Sequence, residues 1–176
     1  MKKLLLGAAG VAALLAFTDT AALAQDKPVF ALVPKNTNNP FFDQARDGCM
    51  KAQEEFGDFE CLYIGPGEHG GGEEQLQVVN DLIARQVDGI AVSPSNAPAI
   101  ATALTGAADA GIPVLTWDSD LLPEHQDLRI AYVGTKNYDI GVNLANRVQE
   151  LKPDGGSICI QSGGAAAANH NERMQG

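Results

Sequence analysis

The sequence has few of the residues from which catalytic and metal-binding sites are usually built. Only three histidines and three cysteines occur among its 176 residues. The cysteines form no C-x-x-C pair and no Cys/His spacing typical of a metal or redox site. The sequence also lacks a G-x-S-x-G nucleophile elbow and the glycine-rich loops that bind dinucleotides or nucleoside triphosphates. We therefore expect neither catalysis nor a cofactor.

Positive charge is also scarce. The 12 lysines and arginines are outnumbered by 22 aspartates and glutamates, which gives a net charge of -10 at pH 7. The basic residues form no cluster along the chain. A surface of this kind repels nucleic acid and anionic membranes, because both carry negative charge. We therefore expect no nucleic-acid partner.

Long apolar runs are absent except at the start of the chain. Residues 4–17 are apolar, follow the basic start Met1-Lys2-Lys3 and precede Ala22-Leu23-Ala24, a small-x-small cleavage pattern. A transmembrane helix needs about 20 apolar residues, and this run is shorter. The pattern predicts a cleaved signal peptide over residues 1–24, with Gln25 as the first mature residue. A retained N-terminal anchor is the alternative.

Cys49 and Cys61 are the predicted disulfide pair, because a secreted chain enters an oxidising compartment. Cys49 lies on the inward face of the first predicted helix, and Cys61 opens the next predicted strand. The alternative is that both are small buried hydrophobic residues that remain reduced.

The rest of the chain alternates between short apolar runs and amphipathic stretches. The predicted strands are residues 28–33, 61–64, 89–92, 114–117, 130–133 and 157–160. The predicted helices are residues 42–56, 73–86, 98–110 and 139–151, and a further helix begins near the C-terminus. Such alternation is typical of an α/β fold with a doubly wound parallel sheet and helices on both faces.

The two parts of this pattern differ in size. Residues 25–134 predict a complete five-strand lobe that buries its own core. Residues 135–176 contain one helix, one strand and the start of another helix, which are too few to close a second core. We therefore expect a hinge crossing near residues 134–137 and a second lobe that is incomplete in this chain.

Polar and aromatic residues follow the ends of the predicted strands, where ligands of open α/β sheets bind. The inventory consists of amides, hydroxyls, aromatic rings and a recurrent carboxylate. Aromatic faces cover the apolar face of a sugar ring, and amides and carboxylates form hydrogen bonds with its hydroxyls. The composition therefore favours a neutral, polyhydroxylated ligand.

Four motifs make a family resemblance specific. They are N-N-P-F-F at 38–42, D-G-I-A-V-S-P-S at 88–95, G-I-P-V-L-T-W-D-S-D at 111–120 and N-H-N-E-R-M-Q-G at 169–176. In this order the chain resembles the ribose- and galactose-type periplasmic sugar-binding proteins, the type I solute-binding components of ABC importers. The resemblance implies a bilobal fold that closes on a sugar.

The resemblance also implies ligand-binding residues in the first lobe. Asn39, Phe41 and Phe42 match the positions that hold the sugar, and Asp118 matches the aspartate that takes two hydroxyls. Ser93 ends the third strand and is a weaker candidate. Asn39 has the alternative role of a helix cap, and Phe42 that of an ordinary core residue.

Further candidates come from the second lobe and from a subgroup of the family. Asn171 and Arg173 match the polar residues that close over the ligand. Lys35 and the T-W-D-S-D segment are similar to the corresponding segments of rhamnose and autoinducer-2 binders. This similarity implies that Lys35 contacts the ligand and that Trp117 forms a wall of the binding site. The alternative for Trp117 is buried packing. Ribose binders have an arginine where this chain has Ser119, which argues against ribose itself.

The function implied by the resemblance is that of a periplasmic receptor. A monomer would capture a monosaccharide or related polyol and deliver it to an ABC permease, and a chemoreceptor is a further candidate partner. The alternative is a secreted sugar or autoinducer-2 sensor without a direct transport role.

Overall fold

The computed structural model describes residues 27–176, so the predicted signal peptide lies outside the described residues. None of the helices in this range has the length and apolar character needed to span a bilayer.

Five parallel strands form a single sheet in the order β2-β1-β3-β4-β5. The strands are β1 Val29–Val33, β2 Glu60–Tyr63, β3 Gly89–Val92, β4 Val114–Trp117 and β5 Ala131–Val133. The helices are α1 Pro40–Phe56, α2 Glu73–Ala84, α3 Ala97–Asp109, α4 Asn137–Leu151 and α5 Ala168–Gln175, with a 3-10 helix at Pro123–Leu128. The predicted α/β class and parallel sheet are confirmed.

The strand order creates a switch point beside β1. Since β1 pairs with β2 on one side and β3 on the other, the connections after β1 and β3 leave the sheet in different directions. A crevice therefore opens at the carboxyl ends of these strands, where doubly wound proteins bind ligands. The residues that follow β1, β3 and β4 all lie at this edge.

The main core lies between one face of the sheet and the helices α2 and α3. Alternate strand residues point to this face, because side chains of a strand alternate in direction. The largest fully buried apolar side chains are Leu82, Ile90, Ile100, Leu104, Leu121, Val33, Val79 and Val92. Each contributes about 1.5–3 kcal/mol by leaving water.

The opposite face of the sheet carries α1 and is covered less completely than the first face. Helix α1 packs mainly against β2, at one edge of this face, and α4 packs against α5. Phe30, Leu115 and Ile130 consequently remain 42%, 37% and 71% exposed. They line an apolar hollow of about 270 Å³. Within the described residues this face is covered only in part, because the chain leaves the sheet after β5.

The predicted strand at 157–160 is wrong for the described chain. These residues form no strand, and Ile158 and Ile160 are 70% and 61% exposed. A strand is stable only when a neighbour pairs with its N–H and C=O groups. No strand among residues 27–176 runs alongside this apolar segment.

A disulfide joins Cys49 of α1 to Cys61 of β2, with their Cα atoms 6.0 Å apart. This is the pair that the sequence predicts. Nearby, the Cys61 N–H donates a hydrogen bond to Oε1 of Gln53 at 2.6 Å. The bond and the disulfide together fasten α1 to the edge strand of the sheet. The third cysteine, Cys159, is exposed and free.

Candidate ligand-binding site

A cleft of about 330 Å³ opens at the carboxyl ends of β1 and β4. It is lined by Lys35, Asn39, Phe41, Phe42, His69, Asp118, Gly163, Asn169, His170 and Arg173. Six of these ten residues are predicted ligand groups. The cleft therefore coincides with the edge of the sheet at which the sequence places the site.

Lys35 is the buried cation of the cleft. It follows β1, is 3% exposed, and its Nζ lies 3.1 Å from Oδ2 of Asp118. The same ammonium donates a hydrogen bond to Oδ1 of Asn169 at 3.0 Å. Burial lowers the pKa of Lys35 from its ordinary value, although Asp118 opposes this effect by stabilising the charged form. The ion pair is thus held in partly desolvated surroundings.

Asp118 is held in an uncommon backbone conformation. Its φ is 61°, in the left-handed region that few residues other than glycine adopt. Its N–H still donates to the Val133 carbonyl at 3.1 Å, so the residue stays attached to the sheet. Oδ2 accepts a hydrogen bond from Ser93 Oγ at 2.9 Å as well as the contact from Lys35. Both contacts use Oδ2, and no residue between 27 and 176 bonds to Oδ1, which can accept hydrogen bonds from a ligand.

The two phenylalanines at the start of α1 have different surroundings. Phe41 is 58% exposed, whereas Phe42 is 3% exposed. The rings meet edge to face, with centroids 5.1 Å apart, and Phe42 meets Trp117 in the same way at 5.6 Å. Phe41 therefore offers a ring face to a ligand, while Phe42 lines the cleft from a packed position.

Trp117 and Asn39 have the structural roles that were the alternatives for them. Trp117 does not line the cleft; it packs on Phe42, and its Nε1 donates to the Ala91 carbonyl at 3.2 Å. Asn39 caps α1, because its Oδ1 accepts the Phe41 N–H at 3.0 Å. Asn39 also lines the cleft, so its cap role does not remove it from the candidate site.

Helix α5 brings polar side chains from the second part of the chain into the cleft. Asn169, His170 and Arg173 line it, whereas Asn171 instead donates from Nδ2 to the Ala165 carbonyl at 3.0 Å. Positions 169 and 171 lie on different sides of a helix, since successive residues are about 100° apart. In the N-H-N motif the residue facing Lys35 is therefore Asn169, and the structure places Asn171 away from the cleft lining.

His69 and His170 flank a glycine pair at the cleft. A Cβ on Gly163 would lie 2.5 Å from Cε1 of His170, and one on Gly164 would lie 2.9 Å from Cε1 of His69. Burial lowers the pKa of His170, and the charge of Lys35 lowers it further. The sequence does not predict a role for these histidines, because no partner for either is visible in it. The only signal for His170 is its position between the two asparagines of the motif.

Asp120 has a structural role. Its carboxylate binds Arg129 at 2.6 Å and 2.7 Å and accepts from Thr116 Oγ1 at 2.6 Å. Burial alone would raise the pKa of Asp120, but these hydrogen bonds and that from the Leu121 N–H outweigh it and lower the pKa. In the described part of the chain no three His, Cys, Asp or Glu residues are grouped to hold a metal ion.

Known proteins match this chain in sequence and in structure. Residues 30–176 match the family described as periplasmic binding protein domain. The chain is 28% identical over 159 residues to the D-ribose/D-allose-binding protein of Pseudomonas aeruginosa, covering 86% of this chain and 49% of that protein.

Two solved structures have the same architecture. An ABC transporter solute-binding protein from Burkholderia graminis, in complex with D-arabinose, aligns with a TM-score of 0.75 and 32% identity over 84% of this chain and 49% of its own. LsrB from Clostridium saccharobutylicum, in complex with AI-2, aligns with a TM-score of 0.67 and 28% identity over 82% of this chain and 46% of its own.

The chain spans about half the length of the proteins it matches. These proteins are named as binding proteins rather than as enzymes. The matched region contains the cleft and all five strands except the first residue of β1, and the sheet has the type I arrangement. The chain belongs to the periplasmic binding protein domain family.

Proposed function

We propose that this chain is the ligand-capturing part of an extracytoplasmic receptor for a monosaccharide or related polyol. The receptor delivers this ligand to an ABC import permease. Residues 25–134 form the first lobe, and residues 135–176 form the hinge crossing and the start of the second. The signal peptide over residues 1–24 directs the chain to the periplasm, where it acts as a monomer.

One observation carries this proposal. The exposed ring of Phe41 lies at the same cleft as the carboxylate of Asp118, one oxygen of which remains available to a ligand. An aromatic face beside a carboxylate and amides suits the two kinds of surface on a sugar, the apolar ring face and the hydroxyl edge. Lys35 adds a charged donor, and Arg173 and Asn169 add donors from the second part of the chain. Delivery to a permease is supported by the description of the Burkholderia relative as an ABC transporter solute-binding protein.

Calorimetry on the full-length mature protein is the direct test. The panel should contain aldopentoses, aldohexoses, deoxy sugars, polyols and AI-2, because the relatives bind ligands of more than one of these kinds. We expect saturable binding of one panel member, with burial of apolar surface giving a negative heat-capacity change. No binding across the panel, together with tight binding of an amino acid or an inorganic anion, would contradict the proposal.

A pair of carboxylate variants separates site binding from general charge effects. Asp118→Asn removes the charge of the cleft carboxylate and keeps a residue that tolerates the positive φ. It should lower affinity about 10- to 100-fold, since a hydrogen bond to a charged group contributes about 1.5–3 kcal/mol. Asp127→Asn removes an exposed carboxylate on the 3-10 helix and should leave affinity unchanged. Equal losses in both variants would place the ligand elsewhere.

A further inference from the structure

The side chain of Gln75 is buried beneath the candidate site, on helix α2. It is 0% exposed, although a glutamine normally stays in contact with water. Burial of an amide costs free energy unless its donors and acceptors are all satisfied. Its hydrogen bonds therefore indicate what this residue holds in place.

The side-chain hydrogen bonds of Gln75 go to two loop segments at the carboxyl edge of the sheet. Its Nε2 donates to the carbonyls of Pro34 at 2.9 Å and Ser93 at 2.8 Å. Its Oε1 accepts from the N–H of Ser95 at 2.9 Å and from Ser95 Oγ at 2.8 Å. The amide thus joins the segment after β1 to the segment after β3 by four bonds.

Both segments carry a side chain of the cleft. Pro34 directly precedes Lys35, and the hydroxyl of Ser93 donates a hydrogen bond to Asp118. Lys35 Nζ reaches the same carboxylate oxygen, Oδ2, at 3.1 Å. The contacts form a closed ring. Gln75 bonds to Pro34, the neighbouring Lys35 contacts Asp118, and Asp118 accepts from Ser93, whose carbonyl accepts from Gln75. Every member belongs to the first lobe.

We propose that Gln75 is a positioning residue for the ligand site. Its side-chain amide holds the segments after β1 and β3 at the spacing that lets Lys35 and Ser93 share one carboxylate oxygen. Oδ1 of Asp118 then faces the ligand in a fixed orientation. A single buried amide of this kind replaces the direct pairing that the two segments cannot make once their strands have ended.

The glycine-rich segment that precedes α2 is held by Asn96, the residue next to Ser95. Asn96, which follows Ser95, donates from Nδ2 to the Gly71 carbonyl at 3.0 Å. Gly72 has a φ of 106°, and a Cβ there would lie 2.5 Å from Cβ of Asn96. His69 reaches the cleft from this segment. Loss of the Gln75 amide should therefore also release His69.

The test measures the pKa of Lys35 in the mature chain without ligand, by NMR of 13Cε-labelled lysine, with Lys35→Arg to assign the signal. Gln75→Met keeps the length of the side chain and removes all four hydrogen bonds. We expect the pKa of Lys35 to shift in this variant, because the loosened segment changes both the burial that lowers this pKa and the contact with Asp118 that raises it. Gln77→Met on the same helix is the control, since Gln77 is exposed and its side chain donates to Asp81.

A purely structural role would lower the melting temperature of Gln75→Met and leave the pKa of Lys35 unchanged in the folded protein, and that result would overturn the proposal. Ser95→Ala removes one of the four bonds and keeps Gln75. It should shift the pKa in the same direction by less, and it serves as the deciding variant if Gln75→Met does not fold. An unchanged pKa in folded Ser95→Ala would then overturn the proposal.

The effect on ligand affinity rests on the proposed function. In the full-length protein we expect Gln75→Met to weaken sugar binding about tenfold, which corresponds to the misplacement of one hydrogen bond. Gln77→Met should bind like the wild type. If the wild type binds no sugar, the proposed function fails, while the pKa of Lys35 still decides the role of Gln75.

Discussion

At the scale of single residues, the adjacent rings of α1 have divided roles. Phe41 is mostly exposed, whereas Phe42 is enclosed between Phe41 and Trp117. We expect Phe41→Ala to change the free energy of unfolding by less than about 0.5 kcal/mol and to weaken ligand binding strongly. Phe42→Ala should lower the free energy of unfolding by about 3 kcal/mol, because it leaves a cavity.

Urea unfolding and calorimetry on the two variants measure these effects separately. The opposite pattern, with a destabilised Phe41→Ala and a neutral Phe42→Ala, would show that the division of roles is wrong. Leu144→Ala is a suitable control, since Leu144 is 64% exposed on α4 and does not line the cleft.

His170 should make the stability of the folded chain sensitive to mild acid. Burial and the neighbouring charges of Lys35 and Arg173, with His69 nearby, lower its pKa in the folded state. The neutral form is thus favoured on folding. Its stabilising contribution is complete above the unfolded pKa of about 6.5 and is lost as the pH falls through the lower folded pKa.

The measurement is the melting temperature between about pH 7.5 and pH 5.5. We expect His170→Gln to lose less stability on acidification than the wild type. His125→Gln, on the 3-10 helix, should behave like the wild type. A wild-type pH response in His170→Gln would refute this account of the residue.

At the scale of secondary-structure elements, the disulfide fixes α1 to the edge of the sheet. Cys49 and Cys61 are 12 residues apart, so their bond closes a short loop. Reduction should lower the free energy of unfolding by about 3 kcal/mol, as expected for a loop of this size. Titration of unreduced, denatured protein should find one reactive thiol, that of Cys159, and three after reduction. Three thiols before reduction would exclude the bond.

The strands and helices of the first lobe could be predicted from sequence because each has a local signal. The predicted element ends lie within about two residues of those observed. They are set by apolar runs, by helical periodicity, and by the Asn-Pro and Gly residues that begin or end helices. The segment at 157–160 has the same local signal but needs a pairing strand. This wrong prediction shows that a local sequence pattern indicates a preference for strand conformation but does not reveal whether a neighbouring strand is present to pair with it.

The candidate site was predictable to the extent that strand ends determine it. Asp118 follows β4 directly, and Lys35 and Asn39 lie in the loop that follows β1, so the parallel sheet implies that all three lie at the same edge. Asn169 could not be distinguished from Asn171, because the choice depends on how α5 is rotated. Gln75 was missed because, in sequence, it is an ordinary polar residue of an amphipathic helix.

At the scale of the whole molecule, the sheet has one well-covered face and one open one. Phe30, Leu115 and Ile130 lie on the open face beside an apolar hollow. We expect the chain comprising residues 27–176 to enhance the fluorescence of anilinonaphthalene sulfonate, because this dye binds exposed apolar surface. Leu115→Lys and Ile130→Lys should reduce the signal.

Ile158→Lys provides the matched control for this experiment. Ile158 is 70% exposed and lies outside the hollow, so its replacement should leave most of the dye signal in place. Equal reductions in all three variants, or no signal from the unmodified chain, would show that the open face does not bind the dye.

The left-handed backbone of Asp118 restricts which substitutions this position can tolerate. Glycine, asparagine and aspartate adopt a φ of about +60° with little strain, whereas β-branched residues do so at high cost. A saturation library at this position should therefore divide into two groups by expression, with these three residues in the well-expressed group. Only aspartate combines that backbone with a carboxylate, because glutamate carries the same charge but favours a different φ. Selection for a new ligand should consequently act on the neighbours of Asp118 more often than on Asp118 itself.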